Sequence, residues 1–217
     1  MAGRSSGFFW ATGRLYMGMP ARLFTRGRAY GREHVPREGG IVVAVNHLHW
    51  IDVPLLGSLS PRNLDFVAKA EAVTFPGLGR FLRWHGTIGV RRGESDREAV
   101  RQMREAMRNG HALGLFVEGT RQRTGHPGKA QPGAAMVAIQ EEVPVVPAAI
   151  YGTQFWKPGN FAPCSIAFGR PMDFTGRPKN GRSYREATAE IEARIHGLFD
   201  WLADLHARGR PKGATPP

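Results

Sequence analysis

The sequence predicts an α/β fold, a single domain with a mostly buried central sheet flanked by helices, on three observations. Short apolar runs such as Ile41–Val45 and residues 143–150 have the length and β-branched content of buried strands. Stretches with helical spacing alternate with them, and that alternation is the pattern of a layered α/β structure. At 217 residues the chain holds one domain with a substantial core and is short for two.

The elements follow in chain order. Phe8, Phe9, Trp10, Leu15, Tyr16, Met17, Met19, Leu23 and Phe24 are interrupted by Arg14 and Arg22 and flanked by Arg4, Arg26 and Arg28. This mixture gives residues 1–30 the character of an amphipathic helical segment that lies in a lipid headgroup layer, packs its aromatics on the core, or does both. No apolar run approaches the roughly 20 residues that span a bilayer. Ile41–Val45 reads as a buried strand, residues 53–59 as a helix stopped by Pro61, and residues 63–68 as a second strand.

Pro76-Gly77 and Gly79 mark a loop, Phe81, Leu82 and Trp84 a short helix, and residues 87–90 a strand. Ser95 or Asp96 caps a helix reaching Arg108, in which Val100, Met103 and Met107 face the core, and Gly110 supplies its left-handed stop. Residues 111–117 return as a strand, 125–133 form a Gly/Pro/Lys loop, and 134–141 a helix. In the next strand, residues 143–150, Pro144 and Pro147 suggest a sheet edge. A strand at 164–168 and a long amphipathic helix at 184–207 complete a domain of residues 31–207, and the Pro/Gly-rich residues 208–217 are expected to be a disordered tail.

Thirty Lys and Arg against eighteen Asp and Glu give a net charge of +12, so an anionic partner is expected. The arginines are spread along the chain and no basic–aromatic reading element stands out, which favours a membrane surface or a phosphorylated coenzyme over nucleic acid. One cysteine excludes an internal disulfide and a multi-cysteine zinc site and fits a reducing compartment; Cys164 reads as a small buried apolar residue.

Polar groups stand at three strand ends. Asn46-His47-Leu48-His49-Trp50-Ile51-Asp52 follows the strand 41–45. Five residues of ideal helix turn about 140° past the starting face, so His47 and Asp52 meet only if the chain bends sharply. If it does, the carboxylate fixes one imidazole nitrogen and frees the other as a general base. The alternative is that Asp52 only caps the following helix. Gly86-Thr87-Ile88-Gly89-Val90-Arg91-Arg92 and Phe116-Val117-Glu118-Gly119-Thr120-Arg121 end the other two strands, and ligands of open α/β sheets bind outside such ends.

In this order, with Val143–Pro147 as a fourth block, these segments resemble the glycerolipid acyltransferase superfamily, whose bacterial type is the 1-acylglycerol-3-phosphate acyltransferase. The resemblance covers residues 30–155. His49 stands where the family often has a small hydroxyl residue, Arg91 where Asp is common, and Val117 where Pro is usual. It implies direct acyl transfer from acyl-CoA or acyl-carrier protein to a lysophospholipid, most simply 1-acylglycerol-3-phosphate, on the cytoplasmic face of an anionic membrane, with no cofactor and no metal.

His47 and Asp52 are then the catalytic pair. Arg92 and Arg121 hold the acceptor phosphate, helped by Gly119 and Thr120, while Glu118 orients Arg121 or another basic residue or bonds an acceptor hydroxyl. Asn46, Lys69 and Arg91 are further candidates. Another lysolipid or a glycolipid acceptor remains open, as does a basic membrane- or nucleic-acid-binding module without activity, which leaves the ordered blocks unexplained.

Overall fold

The computed structural model describes residues 11–84, 86–91 and 97–217. Its strands are β1 (Arg28–Tyr30), β2 (Ile41–Val45), β3 (Leu64–Lys69), β4 (Ile88–Val90), β5 (Ala112–Phe116), β6 (Val145–Tyr151) and β7 (Ser165–Phe168). They form one sheet in the order β1-β7-β6-β2-β5-β3-β4, parallel throughout except for β6 against β7. The helices are α1 (Met19–Phe24), which continues a π-turn at Arg14–Gly18, then α2 (Asp52–Leu59), α3 (Ala70–Thr74), α4 (Leu78–Trp84), α5 (Arg97–Arg108), α6 (Gly133–Glu141) and α7 (Gly181–Ala207).

Every residue of β2 is buried because the strand is covered on both faces, as a continuous apolar run requires. Alternation along the strand sends Val42 and Ala44 to the side of α5, α6 and the first half of α7. Ile41, Val43 and Val45 go to the side of Ala21 in α1 and Leu55, Leu56 and Leu59 in α2. Helix α7 starts where the Asn180 side chain accepts from the amides of Arg182 and Ser183, and it buries Ile191, Ile195, Leu198, Phe199, Leu202 and Leu205. Gly110 stops α5 at φ 75°, in the left-handed region.

Three features depart from the sequence reading. Strand β1 lies within residues 1–30; Arg-Ala-Tyr has no apolar run to announce it, and it exists because β7 pairs with it. Pro147 is not at a sheet edge, since β6 lies between β7 and β2. Its carbonyl accepts from Gly169, and the donor it lacks would face the same side, where residues 169–171 leave the ladder between the Val145–Met172 bridge and the Ala148–Phe168 pair. Residues 208–217 fold back on the sheet edge: Arg28 Nη1 donates to the Arg210 carbonyl, and Arg210 Nη2 donates to the Arg26 carbonyl at 2.7 Å.

Candidate active site

Because β2, β5, β3 and β4 run parallel, their carboxyl ends share one rim. Val45 pairs with Phe116, and Lys69 pairs with Val90. The residues after β2 and after β5 are therefore side by side, and those after β4 lie three strands from β2, roughly 14 Å across the sheet.

Beyond Val45 the chain bends as the catalytic reading needs. Leu48 turns into the cluster under α7 and Ile51 into the cluster under α2, so the turn is pinned at both ends by burial. Inside it Asp52 is fully buried, and its Oδ2 accepts from the amides of Leu48 and His49, each at 2.7 Å, and from His47 Nδ1 at 2.9 Å. Those bonds make Nδ1 the protonated nitrogen and leave Nε2 with its lone pair. The His47 ring lies on Phe116, centroids 4.1 Å apart and planes 28° apart, and Phe116 in turn stacks on Phe66. Phe116 of β5 and Asp52 of α2 thus fix the plane and the tautomer of one half-buried imidazole.

Glu118 holds the backbone of that histidine. Its Oε2 accepts the His47 amide at 2.6 Å and its Oε1 accepts the Gly128 amide at 2.9 Å, while the Gln122 amide donates to the His47 carbonyl at 2.8 Å. Glu118 makes no bond to Arg121; its two oxygens go to these two amides. Residue type announces side-chain partners, whereas a buried carboxylate between two turns meets backbone donors first. Burial pushes the Glu118 carboxyl up to about 7, against the two amide bonds, which pull it down, and with a smaller push from Asp52.

Gly119 sits at φ 69°, a conformation open to glycine, and releases the chain into the exposed Thr120 and Arg121. The Arg121 guanidinium makes no hydrogen bond or ion pair among the described residues, and its charge reaches His49. Burial lowers the pKa of His49, with Arg121 and His47 adding to it and Asp52 opposing. His49 Nδ1 accepts from the Ile51 amide, and its ring lies between Trp50 and Trp156 at about 5.5 Å.

The Asn46 side chain brackets the backbone of Ile150, donating to its carbonyl at 3.1 Å and accepting from its amide at 2.7 Å, and so ties β2 to β6 directly below the site. Lys69 pairs with Glu71 at 2.9 Å on the surface. Arg91 is exposed at the end of β4, and Arg92 lies outside the described residues.

Three residues of the site, Phe116, Gln122 and Gly128, carry no assigned role in the sequence. Phe116 carried a signal, as the last strand residue before Glu118. Gln122 and Gly128 act through backbone amides, which leave no trace in residue type.

Known proteins are similar to this chain in sequence and in fold. A family model described as Acyltransferase matches residues 26–151. The chain is 28% identical over 186 residues to a 1-acyl-sn-glycerol-3-phosphate acyltransferase of Bacillus subtilis, covering 82% of this chain and 90% of that one. It is 37% identical over 112 residues to a lyso-ornithine lipid O-acyltransferase of Pseudomonas aeruginosa, covering 51% of this chain and 40% of that protein. A 1-acyl-sn-glycerol-3-phosphate acyltransferase of Limnanthes douglasii is 31% identical over 194 residues, 85% of this chain and 65% of the plant protein. The crystal structure of the acyltransferase PlsC from Thermotoga maritima superposes with a TM-score of 0.69 at 24% identity over 93% of this chain and 80% of that one, which speaks for the fold.

Proposed function

The chain belongs to the acyltransferase family, and we propose that it moves a fatty acyl group from an acyl thioester to the free hydroxyl of 1-acylglycerol-3-phosphate, giving phosphatidate. The observation that carries the reading is the His47–Asp52 pair, held at 2.9 Å with Nε2 free, inside the stretch that matches the family. Nε2 takes the acceptor's hydroxyl proton as that oxygen attacks the thioester carbonyl. Asp52 stabilises the imidazolium. Collapse of the tetrahedral intermediate breaks the carbon–sulfur bond, and the imidazolium returns its proton to the departing thiolate. The enzyme forms no covalent bond.

The acceptor phosphate falls to Arg121, an unpaired guanidinium beside the site, with Arg92 as its proposed companion. The amides of Thr120 and Arg121 donate to no other group among the described residues and are available to an anion. The donor is acyl-CoA or acyl-carrier protein. A second reading, an acceptor without phosphate, is supported by the likeness to the lyso-ornithine lipid enzyme. Incubating the protein with lysophosphatidate, lyso-ornithine lipid and both donors, with products identified by mass, decides between them. Phosphatidate formation that drops in Arg121→Ala supports the first reading, and exclusive use of lyso-ornithine lipid overturns it.

We further infer that the enzyme works peripherally, docked on the cytoplasmic face of the membrane. Among the described residues no helix is long and apolar enough to cross one. Leu15, Tyr16, Met19, Leu23 and Phe24 are turned to solvent on the amino-terminal helix, while Gly18 and Ala21 face α2. Phe24 meets Phe161, its carbonyl accepts from Trp156 Nε1, and Trp156 meets the exposed Trp50 of the catalytic turn. An apolar rim thus runs from the helix to the mouth of the site. Leu15→Ser with Leu23→Ser is expected to release the protein from vesicles in co-sedimentation, and unchanged binding would sink the docked reading.

A further inference from the structure

We propose that the concavity between the amino-terminal helix, β1 and the carboxy-terminal residues is a second anion site, separate from the catalytic one, that takes the phosphate of an anionic phospholipid headgroup. The concavity encloses about 770 Å³, within the size range of small-molecule sites. Arg14, Arg22, Arg26, Arg28, Arg32 and Lys212 line it against one acid, Glu33. Elsewhere several arginines find carboxylates, although among the described residues Arg121 does not: Arg104 and Arg108 share Glu141, Arg177 takes Glu190, and Arg182 takes Glu186.

Here they do not. Arg14 and Arg28 are tied to the carbonyls of Gly57, Ser60 and Arg210, which aims the guanidiniums without neutralising them. Arg22, Arg26, Arg32 and Lys212 make no ion pair or side-chain hydrogen bond among the described residues. The crowding is felt electrostatically, since burial and then the Arg32 charge lower the pKa of Arg14. Bringing like charges together costs free energy that a bound phosphate offsets.

The source of the phosphate follows from what shares the helix. Leu15 adjoins Arg14 and Leu23 adjoins Arg22, with 50% and 65% of their surfaces exposed, so apolar insertion and cation are neighbours. That is the composition of a helix lying at a lipid interface. Helix α2 sets the separation from the chemistry: Asp52 is its first residue, and Ser58 and Leu59 at its other end line the concavity. About 10 Å of helix divides the two sites, and a headgroup held at one end fixes the height of the catalytic turn over the bilayer.

The inference rests on the membrane-docked reading, and the test separates the two. The full chain is co-sedimented with vesicles of phosphatidylcholine alone and with added phosphatidylglycerol. Three forms are compared: the parent, Arg26→Gln/Arg32→Gln/Lys212→Gln, and a charge-matched control, Arg170→Gln/Arg185→Gln/Arg194→Gln. Each cation at an anionic surface contributes about fivefold in partitioning, so the cavity variant should lose on the order of a hundredfold in binding to anionic vesicles and the control far less. Arg32→Gln and Lys212→Gln alone should each lose about fivefold, which keeps the test intact if the triple variant misfolds.

Turnover of a soluble short-chain acceptor by the cavity variant should stay near the parent's. No binding of the parent to either vesicle would overturn the docked reading. Good binding of the parent with equal losses in the two triple variants would overturn the cavity alone. A thermal shift with glycerol 3-phosphate that the cavity variant abolishes, without any vesicle effect, would show that the site serves soluble phosphate and would overturn the lipid assignment.

Discussion

At the scale of single residues, His47 and Asp52 invite substitutions that separate chemistry from folding. His47→Ala removes the base and should lower kcat by about 10²- to 10⁴-fold while the circular dichroism spectrum is retained. Asp52→Asn is more informative. All three donors converge on Oδ2, and Oδ1 is buried without a partner, so an amide oxygen keeps the turn while the NH₂ group takes the empty side. What is lost is the charge opposite the imidazolium, so turnover should fall more than about tenfold with the melting temperature little changed. An unaltered rate in either variant would end the proton-transfer reading.

Glu118→Gln presents one acceptor where two amides need one each. An unpaired buried donor costs about 1–3 kcal/mol, and if that falls on the geometry of His47 the rate drops by about five- to 150-fold. Protonation of Glu118 at about 7 puts a hydroxyl where an amide needs an acceptor, so an ionisation near that pH in the kcat/KM profile of the parent should vanish in Glu118→Gln.

At the scale of elements, the sheet order decides which parts of the sequence meet. Asn46→Leu should leave both backbone groups of Ile150 unpaired between β2 and β6 and lower stability by about 2–6 kcal/mol, read by denaturant unfolding; a loss under 1 kcal/mol would mean that water replaces the side chain. The long strands and helices were legible because burial writes a period into them: the run Ile41–Val45 and the inward face of α7 announce their own environment. The contact between His47 and Asp52 was legible as one of two readings, because it needed only a sharp bend after a buried strand, and that bend is what the structure shows. Strand β1 was not, since three residues paired only with β7 carry no pattern of their own. The amide partners of Glu118 were not legible, because the backbone amides of Gly128 and His47 come together only through the adjacency of β2 and β5.

At the scale of the whole molecule, two buried groups tie stability to pH with opposite signs. Burial, with help from Arg210, lowers His206 from 6.5 to about 4 beside the hydroxyl of Ser165. The folded state then binds fewer protons than the unfolded chain between those values, so this group stabilises fully above 6.5 and its contribution is lost as pH falls towards 4. Glu118, raised from 4.5 to about 7, does the reverse: its fold prefers the neutral acid, and stability falls as pH rises from 4.5 to 7. Unfolding curves across this window should therefore show the parent losing ground to Glu118→Gln as pH rises, and losing ground to His206→Gln as pH falls. Parallel curves would mean that the groups titrate alike in both states.

The pairing of β1 with β7 has a consequence for synthesis. Arg28 finds Ser165 only after more than half of the chain has left the ribosome, and Tyr30 waits for Ala167. Strand β1 is thus seated late, although the helix ahead of it can already pack on α2, and closing so long a loop is slow. Throughout elongation the residues ahead of β1, with their exposed Leu15, Tyr16 and Leu23, stay unclaimed by the sheet. The apolar rim that joins Phe24 to Phe161 and Trp156 is therefore completed together with this edge, once β6 and β7 have emerged.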